Sequence, residues 1–249
     1  MKLSIIIPAR NEAVYIGKCL ESIIAEAKRE RADVEIIVGN GKSTDATKEI
    51  ALRYPGVIVV DSPKNGANAA RQAGFEASSG DLIGNIDADT LLPPGWLRRV
   101  FKEFNAHPNL VALSGPYIYY DLPFFLRLFM RVLWYLIAPF YFLNNTLLQR
   151  NSSVMGGNLV IRRDALEKIG GYNTDIVFYG DDTDTATRLS KVGLVKFSYT
   201  FPVSSSGRRF ARDGFLATLG KYVLNYVWVA LFKKPFTKAE GTPKSRKTQ

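Results

Sequence analysis

Leu82-Ile83-Gly84-Asn85-Ile86-Asp87-Ala88-Asp89-Thr90 is a mostly apolar run that delivers two carboxylates, one residue apart, towards the turn Pro93-Pro94-Gly95. Residues two apart on a strand share a face, so Asp87 and Asp89 converge at a strand end. A hard divalent cation and a phosphate-bearing ligand fit such a place. A second Asp-x-Asp occurs at Asp182-Thr183-Asp184. Position separates the two: the first ends a buried strand, and the second opens a helix.

Working outward, the first hundred residues alternate between strand and helix. Strand Leu3–Ile7 runs into Pro8-Ala9-Arg10-Asn11-Glu12, and an amphipathic helix follows from about Val14 to Lys28. Strand Val34–Val38 meets the turn Gly39–Ser43, a helix opens near Thr44-Asp45 and runs to about Tyr54, and Val57–Asp61 is a third strand. Asn68 to Ala77 reads as a further helix, closed by Ser78-Ser79-Gly80 before the Asp87 strand. Short connections between alternating elements imply an α/β fold, Rossmann-like, with a mostly parallel sheet and helices on both faces. Ligands in such sheets bind at the carboxyl ends of strands. Asn11, Asn40, Asp61 and the Asp87/Asp89 pair all fall there.

Composition excludes several chemistries. The chain of 249 residues has 47% apolar residues, one cysteine and one histidine. Cys19 alone excludes internal disulfides and any multi-cysteine metal site; its neighbours Ile16, Leu20 and Ile23 place it on the buried stripe of the first helix. His107 sits beside Pro108 in a loop, so histidine-based metal or triad chemistry is not expected. The strand beginning at Leu3 leaves no room for a secretory leader ahead of the fold, and the expected location is cytoplasmic.

Seven ordered segments now carry a resemblance. Pro8-Ala9-Arg10-Asn11-Glu12, Gly41-Lys42-Ser43-Thr44-Asp45-Ala46-Thr47, Asn68-Ala69-Ala70-Arg71-Gln72-Ala73-Gly74, Asp87-Ala88-Asp89, Gly156-Gly157-Asn158, Gly170-Gly171-Tyr172 and Gly180-Asp181-Asp182-Thr183-Asp184 resemble glycosyltransferase family 2 in order and spacing, from about residue 3 to 210. The resemblance implies a GT-A fold, a nucleotide-sugar donor, Mn2+ or Mg2+, and inversion at the anomeric carbon. It implies that Pro8, Arg10, Glu12 and Asn40 hold the nucleobase and that Arg71 lies near the diphosphate, where a guanidinium pairs with phosphate in two parallel bonds. Asp89 would bind the metal, with Asp87 reaching ribose or a metal-bound water; such an ion neutralises charge growing on the departing diphosphate. Asp182, second of the Asp181-Asp182 pair, matches the family's base, which takes the acceptor's proton. Gly157, Asn158 and Asp181 fall on the acceptor side.

Asn40 departs from the family, which usually carries Asp at that strand end. A carboxylate offers two acceptors to the adjacent N–H donors of guanine, whereas an amide offers one donor and one acceptor, matching uracil or thymine. The expected donor is therefore of UDP or dTDP type. Arg208-Arg209-Phe210 is similar to an Arg-Arg-aromatic tract of many relatives, and the two arginines are candidates for holding the donor diphosphate or an acceptor phosphate.

After Gly115 the alternation stops. Segment 122–148 is rich in Phe, Leu and Tyr, with Arg127 and Arg131 one helical turn apart; its longest uncharged run, Val132 to Leu143, is short of the roughly 20 residues that span a bilayer. It reads as an interfacial helical insert, and 211–232 as an amphipathic C-terminal helix. The net charge is +10, and 233–249 carries six Lys/Arg against one Glu. A basic tail of this kind suits an anionic membrane surface, and with no nucleic-acid motif beside it, nucleic acid is not the expected partner. The sequence thus implies a GT-A domain over 1–210 with a helical, membrane-facing C-terminal portion, acting on a lipid or lipid-linked hydroxyl while peripherally bound to the membrane. A polyprenyl-phosphate glycosyltransferase and a non-catalytic nucleotide-sugar-binding protein are the alternatives.

Overall fold

The structure is a computed structural model and describes residues 1–132, 154–176 and 180–220 apart from 216 and 219. Its elements are β1 (Leu3–Ala9), α1 (Ile16–Glu30), β2 (Val34–Asn40), α2 (Thr47–Leu52), β3 (Val57–Asp61), α3 (Ala67–Glu76), β4 (Leu82–Ile86), β5 (Thr90–Leu91), α4 (Trp96–Ala106), β6 (Leu110–Ser114), β7 (Tyr117–Tyr119), α5 (124–132), β8 (Asn158–Arg162), α6 (Arg163–Lys168), α7 (Asp181–Leu189), β9 (Leu194–Phe197), β10 (Val203–Ser205) and α8 (Arg208–Asp213). Seven strands form the main sheet in the order β3-β2-β1-β4-β8-β6-β9. Every neighbouring pair is parallel except those of β8, which runs antiparallel to β4 and β6.

Both faces of the sheet are covered. On one, the α1 stripe Ile16, Cys19, Leu20 and Ile23 meets Leu3, Ile5 and Ile7 of β1 and Trp96, Leu97, Val100 and Phe104 of α4. On the other, Ile6 and Ile83 pack against Phe75 of α3, Ala165 and Leu166 of α6, and Ala186 and Leu189 of α7. Burial of each large side chain favours the fold by about 1.5–3 kcal/mol. Gly74 lets α3 lie directly on β1, since a Cβ there would stand 2.5 Å from Cγ2 of Ile6.

Helix limits shift by a turn or less from the sequence reading. The second helix opens at Thr47 rather than Thr44-Asp45, because the Asp45 carboxylate accepts the Thr47 N–H at 3.0 Å and so stays outside the first turn. The helix after Gly180 runs from Asp181 to Leu189, and Gly180 enters it at φ 86°. Cys19 is fully buried, and His107 follows the last turn of α4.

A smaller sheet, β5-β10-β7, matters more for function. Ser205 of β10 pairs with Thr90 of β5 and with Tyr119 of β7. This brings the chain after Asp89, the strand before Asp121 and the approach to Arg208 together on one edge. Of the aromatic insert, 124–132 is helical and shows Phe124 and Phe125 to solvent at 64% and 81% exposure. The rest of 122–148, residues 216, 219 and 221–232, and the whole of 233–249 lie outside the described residues. No helix among the described residues is long and apolar enough to cross a membrane.

Candidate active site

The residue that follows β4 and the start of α7 meet around one buried arginine. Arg71 on α3 donates from Nη1 to Asp181 at 2.8 Å and from Nη2 to Asp87 at 3.3 Å, with Asp182 Oδ1 3.8 Å from Nη1. Burial works against its charge, but Asp181, Asp87 and Asp182 outweigh that and keep the guanidinium firmly protonated. Only Nε of Arg71, buried and without a partner, is uncommitted. The expectation of an arginine facing the diphosphate is thus replaced by one lying among the acids. Its removal would leave buried charges uncompensated, at about 3–5 kcal/mol.

Asp182 does not cap its own helix. Its Oδ2 accepts the Gly156 N–H at 2.9 Å, while a third of its side chain stays exposed to the cleft. Desolvation, then the neighbouring Asp181, raises its carboxyl above the ordinary carboxylate range, more than Arg71 and the Gly156 bond lower it. The two glycines explain themselves sterically. A Cβ on Gly156 would collide with the Asp182 carboxylate, and one on Gly157 with that of Asp87.

Asp87 is gripped from both sides. Besides Arg71, the Tyr117 hydroxyl lies 3.4 Å from Oδ2 and accepts the Gly157 N–H at 2.8 Å. Asp89 faces a different partner: Nη2 of Arg208 stands 3.0 Å from its Oδ2 and 2.6 Å from Oε1 of Glu12. The same guanidinium lies over the Tyr15 ring at 4.4 Å. Desolvation raises the Asp89 carboxyl to about 7 although Arg208 and Arg209 lower it. Glu12 is raised as well, by desolvation ahead of Arg208, and its Oε2 is buried with no partner.

Asp89 and Glu12 therefore form two oxygen-donor carboxylates around a cation, the role here taken by a guanidinium. Hard oxygen donors of this sort fit Mg2+ or Mn2+, which take one or two carboxylates together with substrate phosphates. Among the described residues no group of three acidic, His or Cys side chains is set to hold an ion unaided. The residues fit a metal shared with a phosphate ligand, with Asp89 and the orphaned Glu12 oxygen as its protein donors.

Other expected residues are placed differently. The Asn40 amide donates one N–H to Asp61 at 2.7 Å and its carbonyl accepts the Ser43 N–H at 3.2 Å, so part of its hydrogen-bonding capacity goes to bracing the strand end. Asn158 is fully buried, accepting the Trp96 Nε1–H at 3.1 Å and donating to the Phe201 carbonyl at 2.8 Å. It braces the wall behind the site and does not face an acceptor. Pro8, near the end of β1, and Arg10, on the loop after it, are half-buried, and Asn11 ties that loop to the one after β2 by accepting the Thr44 N–H at 2.8 Å. Arg209 sits half-buried beside Arg208 on α8.

Sequence reading missed Tyr15 and Tyr117, and quoted Gly156 in a motif without giving it a role. The aromatic-rich stretch after Gly115 held the signal for Tyr117, but a tyrosine on a short strand is most often a packing residue.

Residues 4–170 match the family model described as Glycosyl transferase family 2. The chain belongs to that family. Among solved family-type structures, the mannosyltransferase PcManGT from Pyrobaculum calidifontis, in complex with GDP-Man and Mn2+, superposes with a TM-score of 0.62 at 22% identity, over 89% of this chain and 64% of that one. Glucosyl-3-phosphoglycerate synthase from Mycobacterium tuberculosis, with Mn2+ and UDP-glucose, gives 0.58 at 20% identity over 92% and 78%. These likenesses establish the GT-A fold for this glycosyltransferase family 2 chain. In sequence, the glucosyl-dolichyl phosphate glucuronosyltransferase of Haloferax volcanii is 22% identical over 184 residues, 73% of this chain and 59% of that protein. Against two other curated relatives the matched stretch spans 17% and 33% of the relative's own length.

Proposed function

We propose that the protein is an inverting, divalent-metal-dependent glycosyltransferase that moves a sugar from a nucleoside-diphosphate donor to a hydroxyl of a lipid or lipid-linked acceptor at a membrane surface. The observation that carries this reading is the convergence of Asp87, Asp181 and Asp182 about Arg71, with Asp89 and Glu12 about Arg208 beside them. When bound, Mn2+ or Mg2+ supplies charge neutralisation for the leaving diphosphate. Asp89 and Glu12 hold it, and Arg208 and Arg209 add positive charge on the same side.

Asp182 takes the acceptor proton on Oδ1. Gly156 fixes its other oxygen, and Arg71 keeps Asp181 and Asp87 from repelling it out of place. Pro8 and Arg10 form the nucleobase wall, with Asn40 supporting it through Asp61. Incubating the full chain with a panel of UDP-, dTDP- and GDP-sugars and Mn2+ is the direct test. Release of one nucleoside diphosphate that chelator stops is the expected result. No release and no binding across the panel would overturn the reading, and binding without release would make the protein a nucleotide-sugar binder.

A lipid-side acceptor is supported by α5, where Phe124, Phe125, Leu128 and Phe129 are exposed around Arg127. Aromatics that insert and arginines that stay at headgroup level are the ingredients of interfacial binding. The basic 233–249 supplies the second, electrostatic signal, which salt screens over roughly 8 Å at physiological ionic strength. The protein should therefore sediment with anionic liposomes at low salt and weaken as salt rises. Truncation after Phe232 should remove the salt-sensitive part. Phe124→Ser with Phe125→Ser should weaken the remainder about tenfold or more, since each ring contributes about 1.5–3 kcal/mol on burial. A wild-type protein that stays in the supernatant at low salt would exclude this surface as a membrane contact.

A further inference from the structure

Asp121 lies two residues after β7 and has no part in the site as described so far. Its Oδ2 accepts the Ser206 hydroxyl at 2.5 Å and its Oδ1 accepts the Gly207 N–H at 2.5 Å. Ser206 Oγ in turn accepts the N–H of Arg208 at 3.2 Å. One carboxylate thus fixes, in two steps, the backbone from which the Arg208 side chain reaches Asp89 and Glu12.

The surroundings are built for that hold. Ser206 N–H donates to the carbonyl of Asp89 at 3.2 Å, so the turn is tied to the very strand end that Arg208 serves. Gly207 lies so near the next residue of the Asp121 segment that a Cβ would stand 2.5 Å from Cγ of Leu122. Below it, Leu122, Met130 and Phe210 form a small separate apolar cluster joining α5 to α8. Charge-assisted bonds from a carboxylate to backbone N–H are roughly twice as strong as neutral ones, so removing Asp121 loosens the turn even though the cluster remains.

We propose that Asp121 is a positioning residue for donor binding: it holds the Ser206–Gly207 turn so that Arg208 is presented to the diphosphate beside Asp89. This rests on the glycosyltransferase reading for the role of Arg208, whereas the hold itself does not. Two measurements on the full chain separate the parts. In ligand-free protein, hydrogen exchange read by mass spectrometry should speed up in the peptide covering 206–212 when Asp121→Ala is made, with β4 unchanged. In the presence of Mn2+, calorimetry with UDP and GDP as probes should show Asp121→Ala weakening the bound diphosphate about tenfold or more, the share of a lost contact to a charged group. Arg208→Ala should do the same.

The deciding comparison is Asp121→Ala with Arg208→Ala together. If Asp121 acts through Arg208, the double variant binds no more weakly than Arg208→Ala alone, because coupled residues are not additive. A merely structural role would lower thermal stability and give losses that multiply. Should Asp121→Ala fail to fold, Asp121→Asn keeps one acceptor and should show the same pattern at smaller size. Unchanged exchange in 206–212, or multiplying losses, would overturn the proposal. If wild type binds neither nucleotide, the donor reading fails instead, and the exchange measurement alone judges whether Asp121 holds the turn.

Discussion

Asp182→Asn should lower kcat by about two to four orders of magnitude, the usual share of a general base, while nucleoside diphosphate binding stays intact. The substitution is nearly isosteric, and the amide oxygen can still accept the Gly156 N–H now bonded at 2.9 Å, so the Gly156-Gly157 turn should keep its place. What goes is the proton acceptor. Desolvation and the adjacent Asp181 lift the Asp182 carboxyl. In wild type the acid limb of kcat/KM should therefore lie above the ordinary carboxylate range of about 4. Activity should rise with pH through that limb, because only the ionised carboxylate takes a proton. In Asp182→Asn the limb should vanish. Weakened donor binding with an unaltered rate on saturating donor would make Asp182 a binding residue.

Most of the fold was legible because its signals are local. Strand–helix alternation to residue 91, the Ile16/Cys19/Leu20/Ile23 stripe and the Gly180 entry each depend on neighbouring residues, and each appears in the structure. The antiparallel insertion of β8 between β4 and β6 was not legible. Asn158–Arg162 reads as one more apolar run, and its direction is set by a connection through residues whose sequence carries no alternation. The β5-β10-β7 sheet was equally hidden, since two- and three-residue strands leave no periodic trace.

At the site, residue types were readable and their partners were not. Asp87 and Asp89 were found from a strand end and their spacing, whereas the roles of Glu12, Asp181 and Asp182 came from the resemblance. Arg71, expected to face the donor, lies among those acids because α3 presents it inward at a position where three carboxylates need a counter-charge. Asn40 illustrates the limit of an argument from donor and acceptor counts: one N–H goes to Asp61 and the carbonyl already accepts from Ser43, so only part of the count is left for a ligand. No local pattern announces that a residue twenty-one positions away will claim an amide.

Asp89→Asn should abolish turnover and metal binding while the fold survives. Around the cation position Asp89 and Glu12 are the two protein carboxylates, and the substitution removes one of them along with the charge a divalent ion needs. Titration of the protein with Mn2+ in the presence of UDP, followed by paramagnetic relaxation, should show tight binding in wild type and none in the variant. Stability should move the other way. The Asp89 carboxyl is lifted by desolvation to about 7 in the folded protein, against about 3.9 unfolded. A carboxyl raised in this way is held in its neutral form by the fold, so its stabilising contribution is complete below pH about 4 and is lost as pH rises to about 7. An amide carries no such penalty. Loss of the Arg208 ion pair should therefore be offset at neutral pH, and Tm of the variant should not fall below that of wild type, whereas at pH 4 the difference should disappear. Full turnover in Asp89→Asn, or in wild type with excess chelator, would sink the metal assignment. A variant that loses activity only because its Tm collapses would make Asp89 a structural residue.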